Sequence, residues 1–99
     1  MQLVAAQKRE KATGQKPVTF KLNAPQAKRV LVGGDFTEWE LSARPLRRTP
    51  EGTWQTEIRL RPGRYQYKFV VDGDWQMDPQ CRDQEFNGVG SFNSVVVVK

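Results

Sequence analysis

From Pro17 onward the chain runs in short stretches of alternating apolar and polar residues, broken about every ten residues by turn-forming pairs. That rhythm is the signature of a β-sandwich or barrel. The stretches are VTFKLN, KRVLVGG, a short PLRRT, TWQTEIRL, RYQYKFVVD, a brief DWQM and NSVVVVK. Between them lie Asn23-Ala24-Pro25, a loop from Gly33 to Glu40, Glu51-Gly52, Pro62-Gly63, Asp72-Gly73 and an irregular loop from Asp78 to about Phe92. Pro62-Gly63 fits the two central positions of a type II turn, with Pro fixing the first φ and Gly accepting a positive second one. Asp72-Gly73 reads as a two-residue hairpin turn. Residues 1–16 are rich in helix formers and close with Gly14, but a free helix of about 12 residues is marginal in water, so a frayed arm or short helix is expected there. The sandwich domain is expected over residues 17–99.

Strand parity sorts the three tryptophans, because side chains alternate between faces with period two. In TWQTEIRL, Trp54 shares a face with Thr56, Ile58 and Leu60, which makes it a core residue. In RYQYKFVVD the apolar set Tyr65, Tyr67, Phe69 and Val71 must be buried, sending Gln66, Lys68 and Val70 outward. A two-residue turn after this strand places Trp75 on the outer face beside Val70 and Lys68; a three-residue turn would send it to the core. An indole capping the end of the sandwich is the alternative. Trp39 falls in a loop with no alternation, where Phe36 is the better plug for the core and leaves Trp39 free to lie over a neighbouring strand. Two exposed indoles on one small domain require an explanation.

Composition removes several classes of function. The 99 residues suffice for one domain with a single two-layer core, without a deep cleft between lobes. There is no histidine and one cysteine, Cys81, so the chain can build no Ser-His-Asp or Cys-His arrangement, no Cys/His zinc site and no internal disulfide. Cofactors and bound metals are not expected. Glu38, Glu40, Asp72, Asp74 and Asp78 sit in turns, where acids ordinarily serve turn formation, and not in a water-excluding pocket of the kind glycoside hydrolysis needs. The 16 Lys and Arg outnumber 11 Asp and Glu, but the arginines alternate with acids and turns and read as solvated strand faces, not as a nucleic-acid patch. The opening MQLVAAQKREK has too short an apolar run for a signal peptide or a membrane span, and with the lone cysteine it leads to an expected cytoplasmic address.

Flat aromatic rings cover the C–H face of a pyranose, while amides, carboxylates or ammonium groups hydrogen-bond to its hydroxyl rim. GGDFTEW, GRYQYKFVVDGDWQMDP and GSFNSVVVV together resemble the glycogen-binding domain of the AMP-activated protein kinase β-subunit, a member of carbohydrate-binding module family 48 related to the N-terminal domains of isoamylases and branching enzymes. The resemblance covers about residues 17–99. It implies an all-β, immunoglobulin-like (early-set) antiparallel sandwich of about seven to eight strands that binds α-1,4-linked glucan (glycogen, starch, maltooligosaccharides) without catalysis. Carried over by position, Trp39 and Trp75 match the family's stacking tryptophans, Lys68 its sugar-facing lysine and Asn93 its hydroxyl-binding asparagine. Val89 and Ser91 fall where the kinase domain sets a leucine and a threonine against the sugar. The last loop departs most: Val89 is shorter than leucine, and Phe92 is expected to intrude beside Asn93. Thr37 and Glu38 replace a pair of asparagines common in the family.

Two functions therefore stand side by side: binding of an α-glucan, or a domain of the same fold that docks a kinase-like or glucan-metabolising enzyme. Neither nucleic acid nor membrane is an expected partner.

Overall fold

The computed structural model describes residues 14–88 and 90–99, so the expected arm falls almost wholly outside the described residues. In chain order the elements are β1 (Lys16–Asn23), β2 (Val30–Gly34), a 3-10 turn (Trp39–Ser42), β3 (Arg44–Pro45), β4 (Arg47–Arg48), β5 (Thr53–Leu60), β6 (Gly63–Val71), β7 (Asp74–Gln76), β8 (Gln84–Phe86) and β9 (Phe92–Val98). They form two antiparallel sheets, a small one in the order β1-β5-β4 and a large one in the order β3-β2-β6-β9-β8, with β7 added to β6. The all-β, immunoglobulin-like antiparallel sandwich expected from the sequence is the observed architecture.

Alternation puts one face of each long strand into the core. Phe20 and Leu22 from β1, Trp54, Ile58 and Leu60 from β5, Val30 and Val32 from β2, and Tyr67 and Phe69 from β6 are all buried. Trp54 is a core residue as expected, and its Nε1 donates to the Ala24 carbonyl at 2.9 Å. Phe36 packs on the core with its ring stacked 5.2 Å from that of Phe20. Tyr67 donates its hydroxyl to Asp78 at 2.6 Å, and burial, reinforced by that carboxylate, pushes the phenol well above its ordinary pKa. It is therefore a permanent donor that ties the loop after β7 to the core.

The fold departs from the sequence reading at three places. PLRRT is not one strand: β3 pairs with β2 in the large sheet and β4 with β5 in the small one, because Leu46 between them turns into the core, 5% exposed, while its N–H donates to Val30. Pro62-Gly63 is not a type II turn. Gly63 is absent from the positive-φ glycines and begins β6 opposite Val98. Because β5 and β6 belong to different sheets, the chain crosses the sandwich there and needs no tight reversal; the Tyr65 hydroxyl braces the crossing by donating to Arg61 at 2.7 Å. Third, the loop expected from Asp78 to Phe92 contains β8, whose three residues are too few to show a period.

The hairpin that matters most for the surface is β6-β7. Val71 pairs with Asp74 and Val70 with Trp75, leaving a two-residue turn of Asp72 (φ +49°) and Gly73 (φ +92°). Both residues have positive φ, the turn geometry whose twist matches paired strands, and Asp and Gly suit it. Asp72 Oδ1 accepts the N–H groups of Lys28 and Arg29, each at 2.9 Å, and Asp72 N–H donates to Arg29. The turn is thereby tied to the segment leading into β2. Asp72→Ala, which removes the acceptor for two main-chain donors and a residue tolerant of positive φ, is expected to lower stability by about 2 kcal/mol. Urea unfolding of parent and variant measures this; a loss under about 0.5 kcal/mol would show that the turn stands without the carboxylate.

Candidate functional site

The two-residue turn settles the parity of Trp75. On the outer face of the large sheet Leu31, Val70 and Trp75 are directly opposite one another across β2, β6 and β7, and the indole is 39% exposed. One step along β6, Lys68 lies opposite Gly33 of β2. The missing side chain at Gly33 is what lets the indole settle: a Cβ there would stand 2.9 Å from Trp75 Cη2 and 3.2 Å from the Trp39 carbonyl. Trp75 thus reaches across β6 to rest on bare backbone of β2.

Trp39 arrives from the other side. After β2 the chain turns through residues 35–38 and enters the 3-10 turn with Glu38 at φ +55° and Trp39 at φ +58°, both in the left-handed region that costs an L-residue roughly 1–2 kcal/mol. Asp35 anchors the start: its carboxylate accepts the Gln66 N–H at 2.8 Å, and its own N–H donates to Gln66 at 3.0 Å. Thr37, buried at 4% exposure, holds the corner from within. The half-buried Trp39 ring comes to 6.1 Å from that of Trp75, centroid to centroid, with 55° between the planes.

Polar groups border the rings. Lys68 Nζ donates to Ser91 Oγ at 3.0 Å, and Asn93 Nδ2 donates to Gln66 Oε1 at 2.9 Å. Asn87 and Ser91 close the β8-β9 loop on each other, with Asn87 N–H donating to the Ser91 carbonyl and Ser91 N–H to Asn87 Oδ1. Trp39, Lys68, Trp75, Asn87 and Asn93 enclose a shallow depression of about 270 Å³. Two larger hollows of about 460 Å³ have no aromatic lining; one lies by Arg47, Arg48 and Gln55, the other by Lys21, Asn23 and Asp78. Size alone would favour those, but of the three the tryptophan depression is the one that combines apolar planes with an ammonium group and amides, as the C–H face and hydroxyl rim of a sugar require.

Of the six residues singled out from the sequence, Trp39, Trp75, Lys68 and Asn93 come together around one depression, and Ser91 joins them through its bond to Lys68. Val89 lies outside the described residues. The expectation that Phe92 intrudes beside Asn93 is corrected: successive residues of β9 face opposite ways, and Phe92 instead meets its cross-strand partner Phe86 on the other face, ring centroids 5.5 Å apart. Sequence reasoning missed Asn87. Asn87-Gly88 is a turn signal, visible in the sequence but submerged in a stretch read as one irregular loop. Among the described residues no group of three or more His, Cys, Asp or Glu is placed to hold a metal ion.

A family profile described as the glycogen recognition site of AMP-activated protein kinase matches residues 16–99. The chain is 33% identical to the 5'-AMP-activated protein kinase subunit beta-1 of Sus scrofa over 91% of its own length and 70% of that protein's. It is 37% identical to the chloroplastic phosphoglucan phosphatase LSF1 of Arabidopsis thaliana, over 82% of this chain but 14% of that protein, so it spans about a seventh of that relative. A solved maltogenic amylase from S. marinus superposes with a TM-score of 0.70 at 28% identity, covering 87% of this chain and 14% of the amylase.

Two substitutions probe the geometry. Gly33→Ala must push the Trp75 indole off β2, so it is expected to shift tryptophan emission and cost about 1–3 kcal/mol; unchanged emission would mean the ring does not rest there. Glu38→Asn, better suited to positive φ, is expected to raise stability by about 0.5–1 kcal/mol in urea unfolding.

Proposed function

The chain belongs to the family that comprises the glycogen recognition site of AMP-activated protein kinase, a non-catalytic carbohydrate-binding module, and from that premise we propose that it binds α-1,4-linked glucan as glycogen, starch or maltooligosaccharides. The observation that carries this reading is the pair of neighbouring indoles tilted by 55°. Rings at that angle cannot both lie along the flat ribbon of a β-1,4-glucan, whereas the coiled α-1,4 chain presents successive sugar faces at an angle and can be cupped between them. Trp39 and Trp75 cover the apolar sugar faces. Lys68 donates to hydroxyl oxygens, and the Asn93 amide supplies both a donor and an acceptor. Ser91, bonded to Lys68, completes the rim from the β8-β9 loop. Among the described residues no pair of carboxylates lines the depression, which supports binding without bond cleavage by this chain.

Covering about 100 Å² of apolar surface per ring at about 25 cal/mol/Å² supplies roughly 2.5 kcal/mol each. After ordering costs, a short oligosaccharide is held with Kd of about 10 µM to 1 mM, and tight retention on a polymer comes from many such contacts at once. A cytoplasmic location stays part of the proposal, supported by the single cysteine. The second reading, a domain docking a kinase-like or glucan-metabolising enzyme, is favoured by one feature that sugar binding leaves unused: the exposed Phe86 and Phe92 on the face away from the tryptophans.

Calorimetric titration with maltoheptaose and cellohexaose separates these readings. Binding of the first and not the second is expected, with Trp39→Ala and Trp75→Ala each weakening it at least tenfold. Because the ligand is neutral, affinity should hardly change between low and high NaCl; a steep fall would point to a polyanion instead. Full retention on glycogen by the double alanine variant would defeat the glucan reading.

A further inference from the structure

We infer that Thr37 is a positioning residue for this site: its buried hydroxyl fixes the left-handed corner at Glu38 and Trp39 and so sets the angle between the two indoles. The inference rests on the proposed glucan reading for its consequence, but not for its geometry. The Thr37 hydroxyl oxygen accepts the Gly34 N–H at 3.0 Å, and the hydroxyl lies 3.0 Å from the Trp39 carbonyl and 3.2 Å from the Gly34 carbonyl. A hydroxyl has one hydrogen to give. The Gly34 carbonyl already accepts the Thr37 N–H at 2.9 Å and is the farther of the two, which makes the Trp39 carbonyl the better acceptor for that hydrogen. One oxygen thus joins the last residue of β2 to the main chain of the stacking tryptophan.

Alternatives for holding that corner are few. Glu38, at the start of the 3-10 turn, makes no capping bond with its side chain, and positive φ at two successive non-glycine residues does not persist unless its surroundings impose it. The Trp39 carbonyl also sits 3.2 Å from where a side chain at Gly33 would begin. The corner, the bare strand and the Trp75 ring consequently occupy one tightly shared space, and a shift of the Trp39 main chain must change the approach of the rings. An asparagine cannot replace this hydroxyl atom for atom, since its amide extends one atom further from the main chain.

The test compares Thr37→Val, which keeps the shape and loses the hydroxyl, with Thr37→Ser, which keeps the hydroxyl. Two indoles in contact couple their electronic transitions, giving a far-ultraviolet circular dichroism band that Trp39→Phe assigns by abolishing it. In the free protein, Thr37→Val is expected to diminish that band and Thr37→Ser to retain it. Maltoheptaose affinity should fall about tenfold in Thr37→Val and stay near the parent value in Thr37→Ser. A full band and parent affinity in Thr37→Val overturn the inference. If Thr37→Val does not fold, Thr37→Ser decides: loss of band and affinity in that folded variant overturns it, and their retention supports it. If the parent binds no glucan while the band still depends on the hydroxyl, the glucan reading fails and the positioning role stands.

Discussion

The surface of this domain depends on how the β6-β7 hairpin closes, and the Asp72 carboxylate governs that closure. It accepts two main-chain N–H groups from the segment before β2 while its own residue occupies the first position of a two-residue turn. One residue more in that turn would rotate β7 by half a period and carry Trp75 into the core face. The same contact holds the entry to β2 against the exit of β6, and those two strands supply Gly33, Lys68 and the approach to Trp39. A single acidic side chain in a turn thus helps to set the face on which Trp75 lies, without lining the site itself.

Each long strand of the large sheet serves two purposes through its two faces. The inner residues of β6, Tyr67 and Phe69, are buried, while Gln66, Lys68 and Val70 between them support the indoles or border the depression. Gln66 links both halves of the site: its main chain is bonded to Asp35, at the root of the Trp39 loop, and its side chain to Asn93. The site therefore has no fold of its own to stabilise. Its polar groups are already bonded to one another before any ligand arrives, so a sugar hydroxyl must exchange with an existing bond or use remaining valences. Such exchange contributes little net energy, and the apolar faces of the rings remain the main source of affinity.

How legible this was in the sequence follows from which signals are local. The faces of Trp54, Lys68 and Trp75 were readable because strand parity and a short Asp-Gly turn are both encoded within a few residues. The division of PLRRT between two sheets was not, since it depends on Leu46 reaching a core assembled from distant strands. Pro62-Gly63 misled for a related reason: the pair signals a reversal, but whether consecutive strands pair with each other or cross to the other sheet is decided by the whole topology. The β8-β9 hairpin was hidden by its brevity and its glycines. Thr37 had no sequence signal at all, because a threonine in a loop looks the same whether its hydroxyl faces water or bridges two main-chain groups.

The strained corner at Glu38 and Trp39 makes physical sense as preorganisation. Two left-handed residues cost roughly 1–2 kcal/mol each, which folding must offset through the Thr37 and Asp35 hydrogen bonds and the contact between the rings. An indole on a relaxed, mobile loop would avoid that cost in the free protein, but it would have to be immobilised each time a ligand docked, at about 0.5–1.5 kcal/mol for the side chain alone. With only about 2.5 kcal/mol available from each stacked ring, that penalty would remove about a fifth to three-fifths of the contribution from Trp39. A weak site made of two rings therefore gains affinity when the ordering cost is met during folding, and the core beneath the large sheet is what allows the fold to absorb it.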